Sequence, residues 1–568
     1  MNDSPLDGIT TEVIRNNLLS VSEQMRRTLV RTAFNPGIYE VLDFGISMYD
    51  DQERLIAEAA GVTSFLGSND VGMKFGLDYV GRENLEPGDV ILCNYPYWSS
   101  AHTYDGLLFT PVHDANSTLI GYLAVRAHWR DLGAKDPGYV LDSNSIHQEG
   151  LVFPGTKIVK RGVPDHELYE IIRFNSRMPD IVFGDLGAQL SCLAVGGEGL
   201  RELHAKFGSD VVASAVDAII SHGERAARRA LAELPRGSWS AEEYLDDDGT
   251  NEEPVRMFVT VTITDDEFIV DFTGSPNQVA GPVNMPYGAT VSMAKTVFKA
   301  LTTPNENSNA GHFGPLSVIA PEGTLFHAVY PAPTFTLWTH HVATDMVKLA
   351  VAQAIPSMGA SSAGDEPGFM SVVKTVEKPG IFVISNLEPI GWGATDTHDG
   401  SSAQQAIGVN IGRNTPIEVL EQKAGLLHER LELRPDSGGA GRFRGGLGVI
   451  RTVVYTTEGE VLSMKKKTMT PPLGLNGGHN GEHNGMIAYP GTDKELVMRM
   501  RRTPMVPGDK FVNFSGGGGG FGDPLTRDPA SVVEDVLDGY VTPKAAWNIY
   551  GVRVTNGKIT ELHPSRTA

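Results

Sequence analysis

Between Thr11 and Ala33 the apolar residues Ile14, Leu18, Val21, Met25 and Leu29 recur three or four positions apart. That spacing puts them on one face of an α-helix. Asn35-Pro36-Gly37 closes the run, because proline and glycine do not continue a helix. The period then changes to two. Phe44, Ile46 and Met48 alternate with Gly45, Ser47 and Tyr49, and Asp50-Asp51-Gln52-Glu53 turns the chain back into Leu55-Ile56-Ala57, which predicts two paired strands. Val90–Cys93 and Leu119–Val125 are short apolar runs of the buried-strand kind, each followed by a His-containing stretch. Leu186 to Leu234 is helical in pattern, with Val211, Val212, Ala215, Val216 and Ile219 on one side, and Met257 to Phe272 alternates as a hairpin around Asp265-Asp266. Beyond Gly274 the chain is rich in proline and glycine and predicts short strands, with one helical stretch near Thr344 to Ile355. No repeat of 20–50 residues is visible. The expected class is α+β: a large multi-domain mixed helix/sheet protein with a β-rich C-terminal half. Its expected regions are 1–240, 241–400 and 401–568.

Composition narrows the function. A chain of 568 residues exceeds one ordinary core. Its formal net charge of -22 repels phosphate backbones, so nucleic acid is not an expected partner. The one basic run, Lys465-Lys466-Lys467, reads as a solvated turn. Cys93 and Cys192 both sit in apolar segments and read as buried small hydrophobes, and two cysteines build neither a disulfide framework nor a Cys-rich zinc site. The N-terminus lacks the basic and apolar regions of a signal peptide, and no run approaches the ~20 apolar residues of a membrane span. A cytoplasmic protein is expected.

The most chemically loaded stretch is Tyr97-Trp98-Ser99-Ser100-Ala101-His102-Thr103-Tyr104-Asp105, followed one strand later by Arg126-Ala127-His128-Trp129-Arg130-Asp131. In an His-x-x-Asp turn an imidazole and a carboxylate share one tight loop, and a second His at a strand end can converge on the same point. Two imidazoles and a carboxylate suit zinc, manganese or iron and leave positions open for water or substrate. Scattered polar residues at strand ends would give the same spacing.

Several runs resemble the hydantoinase B/oxoprolinase family. They are Leu29-Val30-Arg31-Thr32-Ala33-Phe34 with Leu42-Asp43-Phe44, Ile146-His147-Gln148-Glu149-Gly150-Leu151, and Val270-Asp271-Phe272-Thr273-Gly274-Ser275. The most specific is the run from Leu433 through Pro435, Gly438-Gly439 and Gly445-Gly446 to Gly448, and Gly516–Gly520 with Phe521-Gly522-Asp523-Pro524 and Gly539-Tyr540-Val541 complete the order. The resemblance implies a metal site on Asp43, His102, Asp105 and His128, holding one divalent ion, zinc or manganese. Asp43 comes from the resemblance alone. Two departures alter the pocket wall: Ser99-Ser100-Ala101 stands where the family has Gly-Gly-Thr, and Trp129-Arg130 follows the second His in place of a further His and a small residue. Substrate identity therefore does not carry over.

Gly516 to Gly520 lacks the Lys-Ser/Thr of a P-loop, and neither Gly438-Gly439 nor Gly445-Gly446 forms a dinucleotide fingerprint. They read as turn and bulge glycines, and the chain is not expected to bind ATP alone. The resemblance implies a separate hydantoinase A-type ATPase subunit that carries Mg-ATP in a hetero-oligomer. The leading function is then the metal subunit of an ATP-dependent cyclic amide hydrolase. The alternatives are the metal subunit of an ATP-dependent ketone carboxylase and a noncatalytic scaffold for the ATPase. Asp131 and Glu149 are the candidate bases, against a reading as supporting carboxylates. Trp98, Tyr104, Trp129 and Arg130 are the candidate walls of the substrate pocket because they lie in the ligand-bearing loops, 97–105 and 126–131; core packing is the competing role. His340 and His341 would point apart on a strand.

Overall fold

The computed structural model describes residues 7–336, 338–364, 368–375 and 380–566. The N-terminal apolar stripe is a helix, Gly8–Thr32, with Ile14, Leu18, Met25 and Leu29 fully buried. It begins before the stripe because Asp7 caps it, accepting from the Ile9 amide. The strands β1 (Phe44–Tyr49), β2 (Leu55–Glu58), β3 (Val90–Cys93), β4 (Asp105–His113), β5 (Leu119–His128), β6 (Pro154–Lys160) and β7 (Val163–Pro164) form one antiparallel sheet in the order β2-β1-β5-β4-β3-β6-β7. Helices cover both faces. The Gly8–Thr32 and Pro179–Phe207 helices lie on the face that carries Phe44, Ile46, Met48, Leu108 and Val125. Thr63–Val80 covers the opposite face, where Met73 and Leu77 meet Ile91, Leu107 and Phe109. Burial on both sides explains why β1, β3 and β5 are apolar almost throughout. The helical stretch after Leu186 is two helices, parted at Gly208, whose φ of +83° ends Pro179–Phe207 before Ser209–Glu233 begins.

A second sheet, β11-β10-β9-β8, comprises β8 (Gly237–Leu245), β9 (Val255–Ile263), β10 (Phe268–Asp271) and β11 (Leu316–Ile319). Two helices, Tyr287–Thr302 and Trp338–Ala352, fill its core. The first lies within the stretch expected to be strands and loops. The C-terminal half is β-rich. Its strands β12 (Phe369–Lys374), β13 (Ile381–Asn386), β14 (Leu426–Leu433), β15 (Val449–Tyr455), β16 (Gly459–Met464), β17 (Gly485–Ala488), β18 (Leu496–Met498), β19 (Met500–Met505) and β20 (Lys510–Phe514) make two further sheets, β13-β12-β16-β19 and β14-β15-β20-β17-β18. The first of these joins strands from both sides of residue 400, and β8 straddles residue 240.

Two features depart from the sequence reading. Lys465, Lys466 and Lys467 are not solvated: each is at most 1% exposed. Lys466 Nζ lies 2.8 Å from Asp247, Lys467 Nζ lies 2.6 Å from Glu243, and Lys465 donates to the Gly368 carbonyl at 3.0 Å. The run is a buried clasp between the second sheet and the C-terminal half. The glycines of Gly516–Gly520 are not turn residues either; none has a positive φ. They thread between other glycine-rich segments, with Gly439 N–H to the Gly518 carbonyl (2.8 Å), Gly518 N–H to Gly446 (2.9 Å) and Gly520 N–H to His479 (2.9 Å). A Cβ on any of the five would lie 1.9–2.4 Å from a neighbouring carbonyl oxygen. Absence of a side chain, not turn geometry, is what these positions require. No helix among the described residues is long and apolar enough to cross a membrane.

Candidate metal centre

Strand register builds the site. Asp105, the first residue of β4, pairs directly with His128, the last of β5. On the other side of β5, β1 begins with Phe44 opposite Ala127, and the His128 amide donates to the Asp43 carbonyl at 3.3 Å. Three adjacent strands thus deliver Asp43, His128 and Asp105 to one sheet end. The loop after the short helix Pro96–Ser99 adds His102. Leu42 and Ser100, each just ahead of an expected ligand, hold φ of +67° and +71°, conformations non-glycine residues adopt at a cost of order 1 kcal/mol and keep only where the surroundings enforce them.

His102, Asp105 and His128 are buried, and one ligand atom from each lies within 4.8 Å of the others. His128 Nδ1 is 3.0 Å from Asp105 Oδ1, and His102 Nδ1 is 3.2 Å from Oδ2. His102 Nδ1 is nevertheless buried with no hydrogen bond of acceptable geometry among the described residues. Asp43 stands outside this close group but lines the same pocket with His102, Asp105 and Tyr139. Burial pushes the His102 imidazole down to about 4 and His128 well below its usual value, so both are neutral near pH 7, the form that ligates metals. Phe335 stacks on His102 at 5.3 Å and 8°, and the Tyr139 ring meets both imidazoles edge-on.

The other expected residues surround this group without lining its pocket. Asp131 accepts from the Tyr104 hydroxyl at 3.0 Å and pairs with Arg177 at 2.7 Å. Glu149 accepts from Ser143 Oγ (2.7 Å) and from the Thr334 and Phe335 amides (3.0 and 3.1 Å). It therefore fixes the segment whose Phe335 stacks on His102. Burial raises its carboxyl to about 8. The Trp129 indole lies over Gly106 in the core beneath Pro179–Phe207 and donates to Gln189 at 2.7 Å. Trp98 packs between Tyr79 and Tyr95. Arg130 donates to Asn35 Oδ1 (2.6 Å) and to Ser385 on β13 (3.0 Å), while Asn35 holds the His128 carbonyl (2.9 Å). Its role here is to brace the strand end against the C-terminal half. Tyr139, Phe335, Leu387 and Val409 complete the surroundings without any signal in the sequence. His341 also lines the pocket, but from the helix Trp338–Ala352, not from a strand.

The family model for hydantoinase B/oxoprolinase matches residues 7–524. The chain belongs to the hydantoinase B/oxoprolinase family. Among this family's curated members, the caprolactamase subunit beta of Pseudomonas jessenii is 30% identical over 99% of both chains. The 5-oxoprolinase of Dictyostelium discoideum is 26% identical, and the match spans 91% of this chain but 40% of that longer protein. The crystal structure of the ATP-dependent caprolactamase from Pseudomonas jessenii superposes with a TM-score of 0.89 at 26% identity, covering 98% of each chain. Nucleotide-free acetone carboxylase shares the fold, with a TM-score of 0.88 at 17% identity over 98% of this chain and 81% of that one.

Proposed function

We propose that this chain is the metal-bearing subunit of an ATP-dependent cyclic amide hydrolase, working beside a separate ATPase subunit. The carrying observation is the buried His102–Asp105–His128 group, in which the His102 Nδ1 atom lacks a hydrogen bond among the described residues. An unsatisfied buried polar atom costs about 1–3 kcal/mol, and a divalent zinc or manganese ion on these residues and Asp43 would remove that cost. Such an ion supplies a Lewis acid for a carbonyl oxygen and lowers the pKa of a bound water. The chain's own residues do the positioning. β4 and β5 hold Asp105 and His128 in register, Asn35 and Arg130 lock the end of β5, and Glu149 and Phe335 hold the His102 ring. An unactivated lactam resists attack through amide resonance. ATP-driven activation on the partner would overcome that resistance, and this chain would receive the activated ring. The relatives named as a beta subunit and as an ATP-dependent caprolactamase support the pairing.

The test is metal analysis of purified His102→Ala and Asp105→Asn, together with ATP consumption by the two-subunit complex on lactams, hydantoins and ketones. Loss of the ion from both variants with the fold intact is expected, with lactams or hydantoins driving ATP consumption. Full occupancy in both variants refutes the metal centre. ATP consumption driven by ketone and bicarbonate alone would make the complex a carboxylase.

A further inference from the structure

The candidate metal group opens onto a pocket of about 60 Å³. That volume admits an ion and a few waters, not a lactam ring. Beside it lies a chamber of about 240 Å³, and two chain segments run from one to the other. On the helix Trp338–Ala352, His341 lines the metal pocket while Asp345 and Lys348 line the chamber. Positions i, i+4 and i+7 share a helix face and advance by about 6 and 10 Å. In the crossing segment Val409 lines the pocket and Ile407 the chamber, with Gly408 between them. A Cβ on Gly408 would lie 2.6 Å from His341 Nδ1 and 2.9 Å from His340 Nδ1, so the partition is thin because this residue is glycine. The Thr63 hydroxyl holds it from behind, donating to the Ile407 and Gly408 carbonyls at 2.9 Å.

We infer that the chamber receives the ring of the acceptor, and that this ring is a neutral cyclic amide, not a carboxylate-bearing one; the inference rests on the metal-centre reading above. The charges around the chamber are already satisfied. Lys348 sits 2.9 Å from Asp345 and donates to the Ala360 carbonyl at 3.0 Å, and Asp399 receives both Arg527 terminal nitrogens at 2.7 Å. A compensated lysine has little to offer a carboxylate. What the chamber does offer is Trp392 and Met358 as apolar surface and the Ser401 hydroxyl for an amide N–H or carbonyl. Trp392 also packs against the cluster containing Val41, Leu387 and Val409 of the metal pocket. A ring against Trp392 thus lies next to the partition.

The experiment is saturation-transfer NMR on the metal-loaded chain with δ-valerolactam, hydantoin and 5-oxoproline. The variants are Trp392→Ala and Ser357→Trp, the latter an exposed chamber residue whose replacement narrows the chamber without disturbing the core. The neutral rings should bind, 5-oxoproline at least about tenfold more weakly, and both variants should weaken the neutral rings at least about tenfold at unchanged metal content. Unchanged affinity in both variants removes the ring from this chamber, yet leaves the metal centre standing. Preference for 5-oxoproline overturns the neutral class. Failure of the parent chain to bind any neutral ring overturns the assignment outright, whereas full metal occupancy in both His102→Ala and Asp105→Asn overturns the metal centre instead.

Discussion

Glu149 should make the protein less stable as the pH rises, and Glu149→Gln should remove that slope. The carboxyl is fully buried, and desolvation raises it from 4.5 to about 8 despite the Ser143, Thr334 and Phe335 donors that favour its ionised form. The folded state therefore holds a proton through pH 4.5–8 that the unfolded chain has released. Stability rises with pH only where the unfolded state binds more protons, so here it falls. The contribution is fully present below 4.5 and is lost as pH passes 8. At 1.36 kcal/mol per pK unit, the shift from 4.5 to about 8 amounts to roughly 5 kcal/mol at most. Glutamine keeps the shape and one acceptor but cannot ionise. The assay is urea unfolding of parent and variant at intervals from pH 5 to 9, read as the difference between them, which removes the titration of other groups. The variant's relative stability should climb through this range and level off near pH 9. Parallel curves would show that Glu149 is already ionised when folded, and that its three donors outweigh its burial.

Gly518→Ala places a Cβ 1.9 Å from the Trp392 carbonyl oxygen and should abolish soluble expression or lower the melting temperature sharply. The control is Gly187→Ala, which meets nothing within 4 Å inside a helix and should gain up to about 1 kcal/mol. Lys467→Met strands Glu243 and should cost about 3–5 kcal/mol in urea unfolding, with much of that recovered when Glu243→Leu is added; a loss unchanged by the second substitution would mean that packing, not charge, sets the cost.

How much of this was legible in the sequence follows from how local each cause is. The first helix, β1, β2, β3, β5 and the hairpin at Asp265 were visible because apolar period is a property of neighbouring residues, whereas β4 was not. His102, Asp105 and His128 stood out as candidate ligands by residue type and spacing, and Asp43 through the resemblance. Composition could not tell a solvated lysine run from a buried one, because the carboxylates of Asp247 and Glu243 that admit Lys466 and Lys467 lie over 200 residues away. Nor could it tell a turn glycine from Gly518, whose constraint is the carbonyl of a distant segment. Trp129 and Arg130 directly follow the candidate ligand His128 in sequence, yet just past the end of β5 Trp129 enters the core beneath Pro179–Phe207 and Arg130 reaches Ser385. The sequence by itself offered His102, Asp105 and His128 as candidate ligands. Only the tertiary structure decided that β4–β5 register sets Asp105 against His128, and that Phe335, His341 and Val409 close around them. Hydrophobic period acts between residues a turn or a strand apart, whereas a pocket is made by contacts between segments that only folding brings together.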